Sequence, residues 1–223
     1  MTRIFDSSAL SIFPLSDGFL FAYRHSIDGD RMTVAFKSVS FDDGVMSNVS
    51  PDYFSIAKFG AKYKSFLPLI DNPVTCKVAY LPNGNMFLAG MGGECKIISR
   101  DASTVWSGSL SHRDVPVSGV AVDGSSLWCS YKDSGILVRY NTRNMRDELR
   151  LGGGKNTVIA GPKGLHISDG LMRVCDCDAH KIFEIDLSSY AMNVYREFDE
   201  PVHQYAKIRS NEIVLLDSGI YLL

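Results

Sequence analysis

Residues 163–198 read KGLHISDGLMRVCDCDAHKIFEIDLSSYAMNVYREF, and this stretch decides the fold. Its apolar residues recur at every second position over short runs, a period that is typical of β-strands with one buried face. The runs are separated by Asp169-Gly170 and by further turn residues that tolerate left-handed backbone angles. The order is strand, Asp-Gly turn, strand ending in Asp, tight turn, strand ending in Asp, and a fourth strand.

The same order of strands and turns recurs along the chain. Residues 117–151 read VSGVAVDGSSLWCSYKDSGILVRYNTRNMRDELRL, and a further copy begins at Val74. A longer copy begins at Leu10, with an insertion around Lys58 to Asn72, and a truncated copy begins at His203. Five copies of about 45 residues account for the chain, and a four-stranded blade of a β-propeller takes about 40 to 50 residues.

The two ends of the chain are incomplete in a complementary way. The last copy stops after its third strand, while Thr2 to Asp6 (TRIFD) precedes the first copy without a partner there. An N-terminal strand that completes the last blade would remove an open sheet edge and close the ring. We therefore predict an all-β, single-domain, five-bladed β-propeller rather than a two-sheet sandwich. Its predicted blades are residues 8–72, 73–115, 116–160, 161–200, and 201–223 together with 1–7.

Composition limits the class of protein. Of 223 residues 45% are apolar, and the net charge is −2, which excludes a disordered chain and argues against strong non-specific nucleic-acid binding. The longest apolar run, Phe19 to Tyr23, is far shorter than the roughly 18 residues of a membrane span. The N-terminal residues lack the pattern of a signal peptide. We expect a cytoplasmic monomer that binds neither nucleic acid nor membranes.

The five cysteines indicate core positions rather than a disulfide framework. They are odd in number and lie in strand-like, apolar surroundings, which favours reduced, buried side chains. The densest group of metal-ligand residue types is Cys175-Asp176-Cys177-Asp178 with His180. A structural zinc needs about four ligands, and nothing nearby in sequence completes the set. No cofactor or metal is therefore predicted, with a divalent cation as the alternative.

One segment carries a family resemblance. Residues 161–189, GPKGLHISDGLMRVCDCDAHKIFEIDLSS, resemble the blades of NHL-repeat and SMP-30/gluconolactonase-like propellers, and residues 127–141 resemble them less closely. The resemblance implies a propeller blade. In the SMP-30-like enzymes an Asn that usually follows the proline helps to hold a divalent metal. Lys163 occupies that position here, which argues against a metal at this point.

The predicted binding surface is the face that carries the loops entering the first strand of each blade and the loops joining the second and third strands. On this face we expect side chains of both charge signs, which suits a polar small molecule or a protein loop better than a polyanion. The first blade would also place Asp30 there, and the third would place Lys132. The predicted binding residues are His25, Arg31, Lys163, Asp178, His180, His203 and Gln204.

Three aspartates, Asp133, Asp178 and Asp217, occupy equivalent positions just before a turn. They would form a ring of carboxylates for a cation or for acid–base chemistry, or each would accept backbone N–H groups within its own hairpin turn. The second interpretation is preferred, because the repeat itself predicts it.

The insertion presents lysines Lys58, Lys62 and Lys64 among aromatic residues. A basic and aromatic nucleic-acid patch is one interpretation. The preferred interpretation is a surface excursion whose aromatic rings pack on their own blade while the lysines stay solvated.

Two functions fit this sequence. The first is a non-enzymatic binding or interaction module that uses the loop-bearing channel face. The alternative is a small lactonase-like or glycosidase-like hydrolase or lyase, with His25, His180, His203 and the turn aspartates as candidate acid–base groups. A buried metal, or a carboxylate–histidine pair within hydrogen-bond reach at the channel mouth, would contradict the non-enzymatic module.

Overall fold

The computed structural model describes residues 1–28, 31–66, 72–154 and 157–223. Asp30 of the predicted face and part of the insertion therefore lie outside the described residues. The described chain forms five four-stranded antiparallel sheets that are arranged as a β-propeller, which confirms the predicted fold class.

In the first two blades the strands follow one another in chain order from the inner to the outer edge of the sheet. The first blade consists of β2 (Ala9–Pro14), β3 (Gly18–Asp28), β4 (Arg31–Ser40) and β5 (Met46–Val49). The second consists of β6 (Lys77–Tyr80), β7 (Met86–Ala89), β8 (Glu94–Ile98) and β9 (Thr104–Ser109). A short hairpin of β10 (Ser111–His112) and β11 (Val115–Pro116) leads to the third blade.

The remaining blades keep this order. The third contains β12 (Gly119–Asp123), β13 (Ser126–Tyr131), β14 (Ile136–Asn141) and β15 (Asp147–Gly152). The fourth contains β16 (Pro162–Ser168), β17 (Leu171–Asp176), β18 (Lys181–Asp186) and β19 (Met192–Glu197). The fifth contains β20 (Val202–Ile208), β21 (Asn211–Leu216), β22 (Gly219–Leu222) and, from the start of the chain, β1 (Thr2–Phe5).

The N-terminal strand closes the last blade, as the incomplete ends of the sequence predict. Strand β1 pairs antiparallel with β22, with Thr2 opposite Leu222 and Phe5 opposite Ile220. A Cβ atom on Gly219 would lie only 2.0 Å from the carbonyl oxygen of Phe5, so the close approach of the two strands needs glycine there. The aromatic ring of Phe5 then packs against that of Phe21 of the first blade in a tilted arrangement, with centroids 4.6 Å apart.

The inner strands of successive blades approach closely at one repeat position. A Cβ atom on Gly119 in the third blade would lie 2.1 Å from the carbonyl oxygen of Lys163, and one on Gly164 in the fourth would lie 2.5 Å from that of His203. In the fifth blade Gln204 holds the same position, and its Oε1 atom accepts the N–H of Ile12 at 2.8 Å. Gln204 thus joins the last blade to the first.

The seam between the first two blades is filled by a helix, α1 (Pro51–Phe59), which is followed by a short α2 (Tyr63–Phe66). The Ser50 hydroxyl accepts the N–H of Tyr53 at 3.1 Å and so caps the N-terminus of α1, while Gly60, with a φ of 83°, follows its end. The ring of Phe54 packs into the first blade and that of Phe59 into the second.

Lys58 of this helix is buried and not solvated, so the sequence-based prediction is wrong for this residue. Its ammonium donates to the carbonyl oxygens of Pro73 at 2.8 Å and Val74 at 3.2 Å, and it lies 5.7 Å from the ring centroid of Phe54. Burial lowers the pKa of Lys58 to about 7. Phe54 and Phe59 of α1 pack on two different blades, and Lys58 lies between these two residues in sequence. Its side chain is therefore enclosed and does not reach solvent.

The apolar core lies between the sheets. All five cysteines are buried, as their strand-like surroundings predict. No helix in the described ranges is both long and apolar enough to cross a membrane.

Candidate functional site

The candidate site lies at the end of the propeller where the first strand of each blade begins and the second strand ends. Three neighbouring blades contribute polar side chains there that contact one another. We call this set the mouth cluster, and it consists of Lys132, Lys163, Asp178, His203 and Asp217.

Two of these residues are placed by irregularities in the inner strands. The pairing of β16 with β17 shifts around Lys163, and that of β20 with β21 shifts in the same way around His203. A bulge of this kind turns a side chain out of the regular alternation of the strand. Both residues are thereby directed at the channel mouth, although the strands around them are otherwise regular.

A chain of hydrogen bonds runs through His203. Its Nδ1 atom lies 2.9 Å from the Nζ atom of Lys163, and its Nε2 atom lies 2.5 Å from Oδ1 of Asp217. A protonated lysine only donates, so Nδ1 accepts and the Nε2–H donates to the carboxylate. Burial lowers the pKa of His203, and the charge of Lys163 acts in the same direction against the hydrogen bond to Asp217. The imidazole is therefore neutral at pH 7.

A second pair lies beside this chain. The Nζ atom of Lys132, in the turn after β13, is 3.4 Å from Oδ1 of Asp178 in the turn after β17. The thiol of Cys177 donates to the carbonyl oxygen of Gly161 at 3.3 Å and approaches Asp178 at 3.4 Å. Burial raises the pKa of Cys177 to about 11, so this thiol is protonated at neutral pH.

The turn aspartates behave differently from the preferred sequence-based interpretation. Asp178 and Asp217 bond to side chains of the mouth cluster rather than capping their own hairpin turns, so that interpretation is wrong for both. The capping is done by Asp176, which is fully buried and accepts the backbone N–H groups of Ala160, Gly161 and Ala179. Asp176 lies two residues before Asp178 and accepts these backbone N–H groups in its place. Asp178 can therefore reach Lys132 of the neighbouring blade.

In the described part of the chain, the other predicted binding residues make contacts different from those of the mouth cluster. His25 and Arg31 are exposed on the part of the β3–β4 hairpin that extends beyond its sheet. His180 occupies the β17–β18 turn with a φ of 56°, and its carbonyl oxygen accepts the N–H of Phe198. The amide of Gln204 is engaged with the backbone of Ile12. Of the seven predicted residues, the structure brings Lys163, Asp178 and His203 into the cluster.

Lys77 is a residue at this end of the propeller that the sequence reasoning missed. It opens β6 and occupies the repeat position that is glycine in the next two blades. Burial and the positive charge of Lys163 both lower the pKa of Lys77. When the first strands of the blades are aligned, Lys77 occupies the position of Gly119 and Gly164. This departure from glycine is the sequence signal that identifies Lys77.

Two other features lie away from the mouth cluster. No group of three or more His, Cys, Asp or Glu side chains in the described part of the chain could hold a metal ion. A shallow groove between the third and fourth blades is lined by Leu151, Gly152, Thr157, Val158, Ile159, Ile185, Tyr190 and Met192, and shares no residue with the cluster.

Comparisons with known proteins bear on the fold. No protein-family model and no curated protein matches the sequence. Among solved structures, streptogramin B lyase is 13% identical with a TM-score of 0.55, over 97% of this chain and 66% of that one. Virginiamycin B lyase from Staphylococcus aureus is 11% identical with a TM-score of 0.54, over 96% and 64%. The WD40 repeats of RRP9 are 11% identical with a TM-score of 0.52, over 89% and 53%.

At such identities these similarities establish the propeller fold alone. The chain spans about half to two thirds of the length of these solved chains. The neighbours include both lyases and a WD40 repeat protein, so fold likeness does not choose between catalysis and binding.

Proposed function

We propose that this protein is a binding module that recognises a polar small molecule at the loop-bearing face of the propeller. The observation that carries the proposal is the convergence of the mouth cluster, in which side chains from three blades contact one another at the open end of the channel. Side chains that only stabilised their own blades would pair within a sheet. Here Lys132 and Lys163 both bond to a side chain of the following blade.

The cluster is accessible and polar, as a binding site must be. The side chains of Asp178 and Asp217 are 51% and 59% exposed, and that of Lys132 is 37% exposed. His203 is more deeply set, with 20% of its side chain exposed. A few convergent polar groups at the end of a channel are the usual means of orienting a small ligand.

Ligand-observed NMR against a library of polar metabolites tests this proposal. We expect molecules that bind the wild type to lose binding in the His203→Ala variant. The matched control is His25→Ala, which removes a histidine outside the mouth cluster and is expected to bind as the wild type does. Binding that survives His203→Ala and Lys163→Met unchanged, or the absence of any bound molecule, would refute the proposed site.

A hydrolase or lyase acting at the same place is the second candidate, and one observation favours it. His203 with Asp217 is the carboxylate–histidine pair that, by the criterion set from the sequence, counts against a strictly non-enzymatic module. The carboxylate orients the imidazole and fixes its tautomer, so that Nδ1 would serve as a general base if Lys163 moved aside. Recognition of a ligand by the mouth cluster is common to both candidates.

Turnover of the molecules that bind separates the two candidates. Each is incubated with the protein and followed by mass spectrometry. Catalysis at this site predicts that His203→Ala and Asp217→Asn each lower the rate at least about a hundredfold, the usual contribution of general acid–base catalysis. Turnover that persists in His203→Ala and Asp178→Asn would place the chemistry elsewhere.

A further inference from the structure

Lys77 extends the mouth cluster to a fourth blade. It is the first residue of β6 and pairs with Ala89 of β7. At the equivalent position of the next two blades, Gly119 and Gly164 lie against the inner strand of the following blade, where a Cβ atom would collide with a carbonyl oxygen. The second blade has a lysine at this repeat position, at the same end of the propeller as the mouth cluster.

The charges at the channel mouth do not balance. The carboxylate of Asp178 is paired with Lys132, and that of Asp217 accepts from His203. Lys163 donates to a neutral imidazole nitrogen. Within the described residues, neither Lys163 nor Lys77 has a carboxylate at ion-pair distance. Because His203 is neutral, the three ammonium groups of Lys77, Lys132 and Lys163 face only the two carboxylates of Asp178 and Asp217, and this end of the propeller carries one positive charge in excess.

The ammonium groups of Lys163 and Lys77 are both destabilised in their protonated form, and a nearby anion would offset this. Burial lowers the pKa of Lys163, and the charge of Lys132 acts in the same direction, while the carboxylates of Asp217 and Asp178 oppose this shift without cancelling it. Burial and the charge of Lys163 lower the pKa of Lys77. A negative charge placed between them would favour the protonated form of both. A bound cation would face the opposite situation, because it would add to the excess of positive charge.

We propose that the mouth cluster, together with Lys77, binds a small oxyanion, that is, a ligand whose carboxylate or phosphate group lies between Lys77 and Lys163. This inference rests on the proposed function, since it names the chemical class of the ligand at the same site. The compact charge of an ammonium group and its three donors suit either group as a partner. His203 and Lys132 lie next to Lys163 and would contact the rest of the ligand.

Isothermal titration with two probes tests the proposal, sodium phosphate in one arm and sodium citrate in the other, at pH 7 and constant ionic strength set with sodium chloride. We expect saturable binding of at least one probe by the wild type, and the arm that binds identifies the group. Lys163→Met and Lys77→Met are each expected to weaken that binding by about tenfold or more, the usual effect of losing a charge-assisted hydrogen bond. Lys163→Arg, which keeps the charge, is expected to lose less affinity for the probe than Lys163→Met.

Lys207→Met is the matched control, because Lys207 lies on the inner strand of the fifth blade but near its other end and is exposed. It is expected to bind as the wild type does. If Lys77→Met does not fold, Lys77→Gln replaces it. The absence of saturable binding of both probes, or equal binding by wild type and the Lys163→Met and Lys77→Met variants, overturns the proposal. A neutral molecule that binds through His203 but is indifferent to both lysine variants would refute the oxyanion and leave the proposed function standing.

Discussion

The Nε2 atom of His203 lies 2.5 Å from Oδ1 of Asp217, and this contact joins the first strand of the last blade to the turn after its second strand. The two residues are fourteen positions apart in sequence and belong to one sheet. The opposite ring nitrogen of His203 reaches the preceding blade through Lys163. One imidazole therefore couples the last blade to its neighbour at the channel mouth.

The pKa of His203 should shift in opposite directions when its two partners are replaced. In Asp217→Asn the loss of the carboxylate removes the interaction that favours the protonated ring, so the pKa of His203 should fall below its wild-type value. In Lys163→Met the loss of the positive charge should raise it. Imidazole NMR signals followed from pH 4 to 8 measure both shifts. A shift of the same sign in both variants would contradict the hydrogen-bond chain.

The N-terminal strand should be required for stability. Removal of residues 1–7 would leave the outer edge of the last blade unpaired and expose the aromatic contacts of Phe5, so we expect a large loss of thermal stability or aggregation. The milder variant Phe5→Ala should cost about 2 kcal/mol in the free energy of unfolding, less than a fully buried phenylalanine, because Phe5 is only partly buried. Calorimetry checks both, with Thr2→Ala as the exposed control. An unchanged melting temperature after the deletion would refute closure by β1.

Lys58 should make the stability of the protein depend on pH. Its pKa is about 7 in the folded chain against 10.5 as the ordinary value, so between these values the unfolded chain binds more protons and stability rises with pH. We expect the wild type to gain stability relative to Lys58→Met from pH 7 to pH 9.5, with a slope of at most about 1.4 kcal/mol per pH unit. Urea unfolding at the two pH values measures the difference. The stability of Lys62→Met, which removes an exposed lysine of the same segment, should change with pH as that of the wild type does. An equal change in stability between the two pH values for the wild type and Lys58→Met would contradict the lowered pKa of Lys58.

Gln204 should act in closing the ring and not in recognising the ligand. Gln204→Leu leaves the N–H of Ile12 without its acceptor, which should cost about 1 to 3 kcal/mol in the free energy of unfolding. Gln204→Glu keeps the acceptor and should cost less. Chemical denaturation measures the stability of both variants. Anion affinity measured in the same samples should be unchanged; a selective loss of affinity with normal stability would move Gln204 into the binding site.

Gly164 should be needed to position His203. A Cβ atom there would lie 2.5 Å from the carbonyl oxygen of His203, so Gly164→Ala must push the inner strands of the last two blades apart. We expect a loss of stability of about 1 to 3 kcal/mol, as for overpacking in a core, and a loss of the Lys163–His203 contact. Gly154→Ala is the control, because nothing lies within 4 Å of its Cβ position. Thermal unfolding and the imidazole NMR signals report both effects, and equal behaviour of the two variants would argue against the tight seam.

Helix α1 carries a helix-start signal in the sequence. Ser50-Pro51-Asp52 is a typical helix start, with a capping hydroxyl, a proline in the first turn and an acidic residue after it. The burial of Lys58 was not recognisable in this way. The sequence shows a lysine on a short helix, and only the packing of Phe54 and Phe59 on two different blades encloses it.

Local patterns were sufficient for the architecture of this protein. Alternating apolar residues, Asp-Gly turns and two incomplete ends predict five blades and the partner of β1, because strand formation and edge closure depend on residues that repeat along the chain. The mouth cluster depends on tertiary structure. Asp178 and Asp217 look like ordinary turn residues in sequence, and the repeat assigns them to their own hairpins. The bulges at Lys163 and His203 and the close packing of neighbouring inner strands direct these side chains across blade boundaries, and no periodicity within a single blade encodes contacts between blades.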